Sequence, residues 1–360
     1  MLKLKKNEAE AYERLDAFWR GKSIGRPAII ARAKNSSYDY IHWDGPVLSQ
    51  KQQDLCPDYY VWKWRNNLFG SHYLGEAMPM VFADHGSSIT LLAVLAGGDY
   101  EYDGSAWTQP KDNILNTAVP KFNPNCETVI KLEQSYKAMH EMVDGFGLLS
   151  PPSMIDALTT LSMLHTQESL CMSILEEPEN VKSWTHDATT LYIDCYDHFY
   201  KVLSKMGHTT SSAWLGIAAR GRMEAVQCDF GVMLSPEMYK EFVMPDLARI
   251  TSYLDYSTYH LDGVEQMRFI DMIASLPNIN AIQWNPAVFD FHPSEHMASF
   301  KRIKEFGLSL SVSVRNIDDA KYLVKSLGSD GLMLVFPYFD CEEDALAAIK
   351  EMTMVTNAGI

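Results

Sequence analysis

The residues of this chain best suited to chemistry stand directly after short apolar runs, and the densest group is Tyr259-His260-Leu261-Asp262-Gly263. Alternate residues of an extended strand point to the same side, so His260 and Asp262 would share one face, and Gly263 would let the chain turn out of the strand. An imidazole beside a carboxylate can pass a proton, or the two can ligate one metal ion through nitrogen and oxygen. The same spacing also suits a histidine that a neighbouring carboxylate satisfies for structural reasons. Upstream, Cys228-Asp229 closes the run EAVQ. Asp229 there is placed to act as a general base or to orient a substrate proton, or else to cap a loop. Arg220 and Arg222 flank Gly221; such a pair can clamp a carboxylate or phosphate, or simply face solvent. No GxSxG elbow, HExxH helix or P-loop occurs, which removes the usual signatures of serine hydrolases, zinc peptidases and nucleotide-dependent enzymes.

These groups need a frame, and the chain supplies one in alternating pieces. AIIARA follows the helix-stopping pair Arg26-Pro27, and further apolar runs recur at 78–83, 146–150, 211–216 with 224–228, 257–261, 280–284, 308–314 and 331–336. Counting the pair near 211–228 as one strand with an irregular extension gives eight. Residues 7–20 carry Ala11, Leu15, Phe18 and Trp19 at helical spacing. Ser235-Pro236-Glu237 and Glu177-Pro178-Glu179 read as helix starts. Strand and helix alternate to the end, which predicts an α/β protein built as a single (β/α)8 TIM barrel with an N-terminal helical extension, one domain over 1–360. A doubly wound dinucleotide fold is the rival, but KNSSYDYIHW after the first strand holds no glycine for a phosphate loop. In such a barrel the C-terminal strand ends carry the chemistry. Here they are Arg32, Asp84 with His85, Trp214, Asp229, His260 and Asp262, Trp284 and Asn285, Arg315 and Asn316, and finally Tyr338 and Cys341.

Bulk properties narrow the partners. A chain of 360 residues, 47% hydrophobic, can bury a large core. Its formal net charge of −15 argues against nucleic acid, which needs a basic face, while a few local arginines still permit an anionic small molecule. The six cysteines form no CxxC pair, and the start MLKLKKNEAEAYERL has no apolar centre. Reduced thiols in the cytoplasm are expected, with no membrane span, since no apolar run reaches the necessary length. The nineteen methionines read as core filler.

The stretch QCDFGVMLSPEMYKEFVMPDLARI followed by YHLDG, together with the opening ERLDAFWRGKSIGRPAII, resembles the uroporphyrinogen decarboxylase superfamily. LLAVLAGGDYEYD and LLSPPSMIDALTTL match it more weakly, in the same order. With HLDG and IQW the chain looks closest to a branch linked to corrinoid-dependent methyl transfer. The resemblance implies a barrel, a methyltransferase working with a corrinoid carried by a partner protein, and zinc. His260 matches the zinc-binding histidine of the related methyltransferases, Asp262 stands where they have a cysteine, and Cys341 lies near their last cysteine. For the decarboxylases it implies substrate contacts at Arg32 and Asp84, but the family's second arginine is missing from KNSSYDY. A tetrapyrrole substrate is therefore not expected.

Two further readings stand beside methyl transfer. One is a cofactor-free decarboxylase of a small carboxylate, with Arg32 or Arg222 on the anion and Asp229 or His260 supplying the proton. The other is a barrel that only binds. Trp214, Trp284, Asn285 and Tyr338 are expected to line the substrate site, and a homodimer is expected from the resemblance.

Overall fold

A computed structural model describes residues 1–286 and 291–357, apart from the side chain of Ser87. The first helix, α1 (Glu8–Trp19), buries Ala11, Leu15, Phe18 and Trp19 on one stripe, as the helical spacing predicts. Strand β1 (Ala28–Lys34) follows, then helix α2 (Pro57–Phe69) and strand β2 (Ser71–Gly75). Further along lie two short strands, β3 (Met80–Val81) and, after a small hairpin and a helix, β4 (Leu148–Leu149); helices α3 (Ala157–His165) and α4 (Pro178–Lys205) come after them. The second half contributes β5 (Thr210–Ser212), β6 (Ala218–Arg220), β7 (Met223–Val226), β8 (Tyr256–Asp262), β9 (Ile279–Asn285), β10 (Ser309–Ser313) and β11 (Leu332–Val335). Helix α5 (Glu342–Asn357) packs back on β1 and β2.

The main sheet has seven strands in the order β2-β1-β11-β10-β9-β8-β7. All neighbours pair in parallel except β2, which runs antiparallel to β1. The apolar runs do become strands, but 211–216 and 224–228 give two separate ones, β5 and β7, in different sheets, and the ladder is not a closed eight-stranded ring. Strands β3 and β4 form a separate parallel pair, and β5 pairs with β6 as a hairpin. At the join between β4 and β5 a side chain takes over from the main chain. Ser150 Oγ donates to Ser212 O at 2.8 Å and accepts from Ser212 N at 2.9 Å, so no strand ladder forms there. The run 211–216 accordingly leaves extended pairing after Ser212. Strand β2 was not foreseen; it occupies the edge beside β1.

Helix α1 packs on the β5–β6 hairpin. Tyr12 Oη lies 2.8 Å from Thr210 Oγ1, and Trp19 Nε1 donates to Ala218 O at 3.0 Å. Beneath β1, the wholly buried Glu76 receives both nitrogens of the Arg26 fork, at 2.7 and 2.8 Å, and the backbone N–H of Ile29 at 2.6 Å. Lys5 Nζ donates to Gly75 O at 2.7 Å beside it. Buried charges persist only when paired and hydrogen-bonded in this way. Among the described residues no helix is long and apolar enough to cross a membrane.

Candidate active site

Strand β8 carries the expected pair to the C-terminal end of the sheet. Its register with β9 sets His260 opposite Gln283 and Asp262 opposite Asn285. Each pair is hydrogen-bonded as neighbours on one face of a parallel ladder can be. His260 Nδ1 bonds Gln283 Oε1, and Asn285 Nδ2 donates to Asp262 Oδ1 at 2.7 Å. An amide oxygen only accepts, so Nδ1 holds the proton and Nε2 presents its lone pair. His260 is buried, which holds its pKa below the usual histidine value against the opposing pull of Gln283 and Asp262. It is therefore neutral at neutral pH. Gly263, with φ at 84°, turns the chain out of the strand.

Asp229 begins a short 3-10 turn, Asp229–Met233, just beyond β7. Its Oδ2 accepts from Gln227 Nε2 at 3.2 Å, while Oδ1 is buried with no partner. Burial, then the nearby charges of Asp156 and Asp262, raise its pKa to about 7. Asp156 caps α3, taking the N–H of Thr159 on Oδ1 at 2.9 Å, and its Oδ2 is also buried and unpartnered. Burial raises its pKa to about 6. Behind them the buried Glu224 carboxyl, which accepts from Ala225 N at 2.9 Å, is raised to about 8 by burial. Asp229 and His260 line one cavity of about 260 Å3 with Ser153, Gln227 and Trp214. Such a carboxyl sits near half-protonation at neutral pH, so it can give or take a proton there.

Trp214 is shared with a second cavity of about 380 Å3, which holds Arg32 and Tyr338. Arg32 Nη2 donates to Asn67 Oδ1 at 2.9 Å and Ser71 Oγ at 2.8 Å. Its guanidinium lies 5.3 Å from the Tyr73 ring and 5.6 Å from the Tyr338 ring. Tyr338 Oη donates to Gly70 O at 3.1 Å.

The structure thus brings Asp229, His260, Trp214, Arg32 and Tyr338 to adjoining cavities, with Asp262 and Asn285 beside them. Four expected residues lie elsewhere or face away. Arg222 precedes β7 at the opposite end of the sheet, where Asp255 neutralises it through bonds of 3.2 Å to Nε and Nη2. Trp284 has the opposite strand parity to Gln283 and Asn285, so its ring packs on His296 and Phe300 of the helical layer. Asp84 pairs with Lys63 at 2.8 Å in a separate cavity of about 190 Å3 beside Asp54 and Tyr60. Cys341 stands immediately before α5, outside both cavities.

Among the described residues no three His, Cys, Asp or Glu side chains converge as a metal site. His260, Asp262 and Cys341 therefore do not fit the expected zinc triad. Asp156, Gln283 and Ser153 were not anticipated. The signals were present: an aspartate before the helical run ALTTLSMLH, and a lone amide inside the apolar run AIQW.

The architecture is a mixed α/β one with a mostly parallel central sheet and its polar cluster at the carboxyl ends of the strands. A methyltransferase from Methanosarcina mazei has a similar structure, with a TM-score of 0.61 over 96% of this chain and 98% of that one, at 13% sequence identity. At that identity the likeness shows the fold alone. No family model matches the chain. No curated protein matches it in sequence.

Proposed function

We propose that this chain is a one-domain (β/α)8-barrel enzyme of the uroporphyrinogen decarboxylase superfamily, and that it transfers a methyl group between a small molecule and a corrinoid carried by a partner protein. The observation that carries the reading is the Asp229 carboxyl, held near neutrality with one oxygen unpartnered at a cavity it shares with the neutral His260. Loss of a methyl group from oxygen, nitrogen or sulfur leaves a basic heteroatom, and a carboxylic acid with a pKa near 7 suits protonation of that atom. The reverse transfer needs the same residue as a base. Arg32 would hold an anionic group of the substrate and Trp214 would form the wall between the two cavities.

The corrinoid would supply or accept the methyl group. Toward its carrier this chain offers an exposed apolar rim, with Val232 and Met233 following Asp229, and Val264 following Gly263. Zinc enters no step, because the donor set does not converge. The six free cysteines agree with a cytoplasmic enzyme, and a homodimer remains part of the proposal from the resemblance.

A decarboxylase is the second reading, favoured by Arg32, whose side-chain partners Asn67 and Ser71 are both neutral. It would hold a carboxylate while Asp229 supplies the proton that replaces carbon dioxide. A barrel that only binds has no need of a carboxyl near neutrality.

The test is to incubate the enzyme with a reduced or methylated free corrinoid and candidate methyl donors or thiols, following the corrinoid spectrum and, in parallel, carbon dioxide release. Corrinoid methylation or demethylation lost in Asp229→Asn supports methyl transfer. Carbon dioxide release without any corrinoid change replaces it with the decarboxylase reading.

A further inference from the structure

The cavity around Arg32 is built differently from its neighbour. Its rings come from Trp64, Tyr73, Phe82, Trp214, Phe336 and Tyr338, and Met78 and Met80 add to the apolar wall. Arg32 is the one charged residue of that lining among the described residues. It has two neutral partners, Asn67 and Ser71, and its Nε is buried with no partner at all. A cation so placed is fixed in position by neutral groups and left with unspent charge. Its volume of about 380 Å3 lies in the range of small-molecule sites, roughly 300–1,000 Å3.

We propose that this cavity takes a flat aromatic monocarboxylate, its ring among the aromatic side chains and its carboxylate on Arg32. The proposal deepens the enzyme reading above, on which it rests for the statement that the two cavities serve one substrate.

Three arguments select the class. A single guanidinium matches one planar carboxylate, whereas phosphate usually gathers several cations or a set of backbone N–H groups. The chain's formal net charge of −15 opposes a multiply charged anion in particular. Finally, six rings around one cavity favour a ligand that is itself a ring, since aromatic pairs gain attraction beyond their buried area. Trp214 lines this cavity and the one of Asp229 and His260, so a ligand here would lie against the wall the two share.

Benzoate is the simplest probe, measured by calorimetry or by quenching of tryptophan fluorescence on the full chain. The expected result is saturable binding that benzamide, with no charge, matches only about 10- to 100-fold more weakly, the range for losing a charged hydrogen bond. Cyclohexanecarboxylate, with the charge but no π face, should bind roughly 2- to 10-fold more weakly than benzoate. Arg32→Gln should weaken benzoate by about the same factor as benzamide is weakened. Equal affinity for benzoate and benzamide in the wild type would overturn the proposal, whether or not Arg32→Gln folds. Equal affinity for the saturated acid would remove the aromatic part of it.

The outcomes also separate this proposal from the enzyme reading. Benzoate binding as expected, with no methyl transfer between any candidate donor or thiol and the corrinoid, leaves the ligand class standing and defeats methyl transfer. Methyl transfer that saturating benzoate does not inhibit does the reverse.

Discussion

The indole of Trp214 meets the imidazole of His260 edge-on, with ring centroids 4.9 Å apart and planes at 76°. This contact joins the two cavities of the candidate site, because Trp214 lines both and His260 lines one. A T-shaped pair is worth about 0.5–1.5 kcal/mol beyond area burial, enough to hold an imidazole in one orientation.

Trp214→Ala should therefore lower kcat/KM by about tenfold or more, with a stability change within about 1 kcal/mol, since Trp214 is 42% exposed. Trp214→Phe should recover most of the loss. Steady-state kinetics beside thermal melts would check this, and a melt that collapses in Trp214→Ala would make the residue structural instead.

The Asp229 and Asp156 carboxyls set the pH dependence. Activity that needs Asp229 as an acid should fall as pH rises through about 7. Asp156→Asn removes a neighbouring charge, so the fall should move to lower pH. Asp229→Asn should reduce turnover by about 10²- to 10⁴-fold. A pH–rate profile unchanged by Asp156→Asn would separate the two carboxyls.

The same shift has a sign in stability. A carboxyl whose folded pKa is raised above its unfolded value binds more protons when folded, so it costs stability as pH climbs from about 4 to about 7. Asp156 and Glu224, raised to about 6 and about 8, act in the same direction. Asp229→Asn should melt above the wild type at pH 8, and the gap should close toward pH 4, below which both forms are neutral. Melting curves across that window decide it.

Metal content tests the reading in which zinc plays no part. Because Cys341 does not converge with His260 and Asp262, Cys341→Ala should leave both metal content and activity unchanged. About one zinc per chain, lost in both His260→Ala and Cys341→Ala, would restore the zinc triad and displace the proposal built on Asp229.

The Arg26–Glu76 pair should be a stability determinant with no part in turnover. Both residues are buried, and Glu76 also faces Arg14 at 3.7 Å and neutralises the charge around Lys5. Glu76→Gln leaves those cations uncompensated and should cost about 3–5 kcal/mol, with kcat unchanged in the fraction that folds. Denaturant unfolding measures it.

The sequence by itself determined the runs that become strands, because parallel strands buried on both faces must be apolar nearly throughout. It also determined that His260 and Asp262 share a face, since side chains alternate along a strand, and that Ser235 starts a helix, where its hydroxyl accepts from Met238 N. The same alternation excludes Trp284 from the face of Asn285. Strand parity was legible there, while the aromatic side chain suggested a site residue.

Tertiary structure alone decided the rest. Asp156 reaches Asp229 only because α3 begins beside the end of β7, and no local pattern encodes a meeting between segments so far apart in the chain. The spacing of Arg220 and Arg222 suited an anion clamp or a solvated pair alike, and the sheet places Arg222 at the start of β7 beside Asp255. The ladder stops at Ser150 and Ser212 because one hydroxyl takes up the backbone groups, a choice that depends on two strands arriving side by side. Which carboxyl is held near neutrality likewise follows from burial and neighbouring charge, and both are properties of the assembled fold.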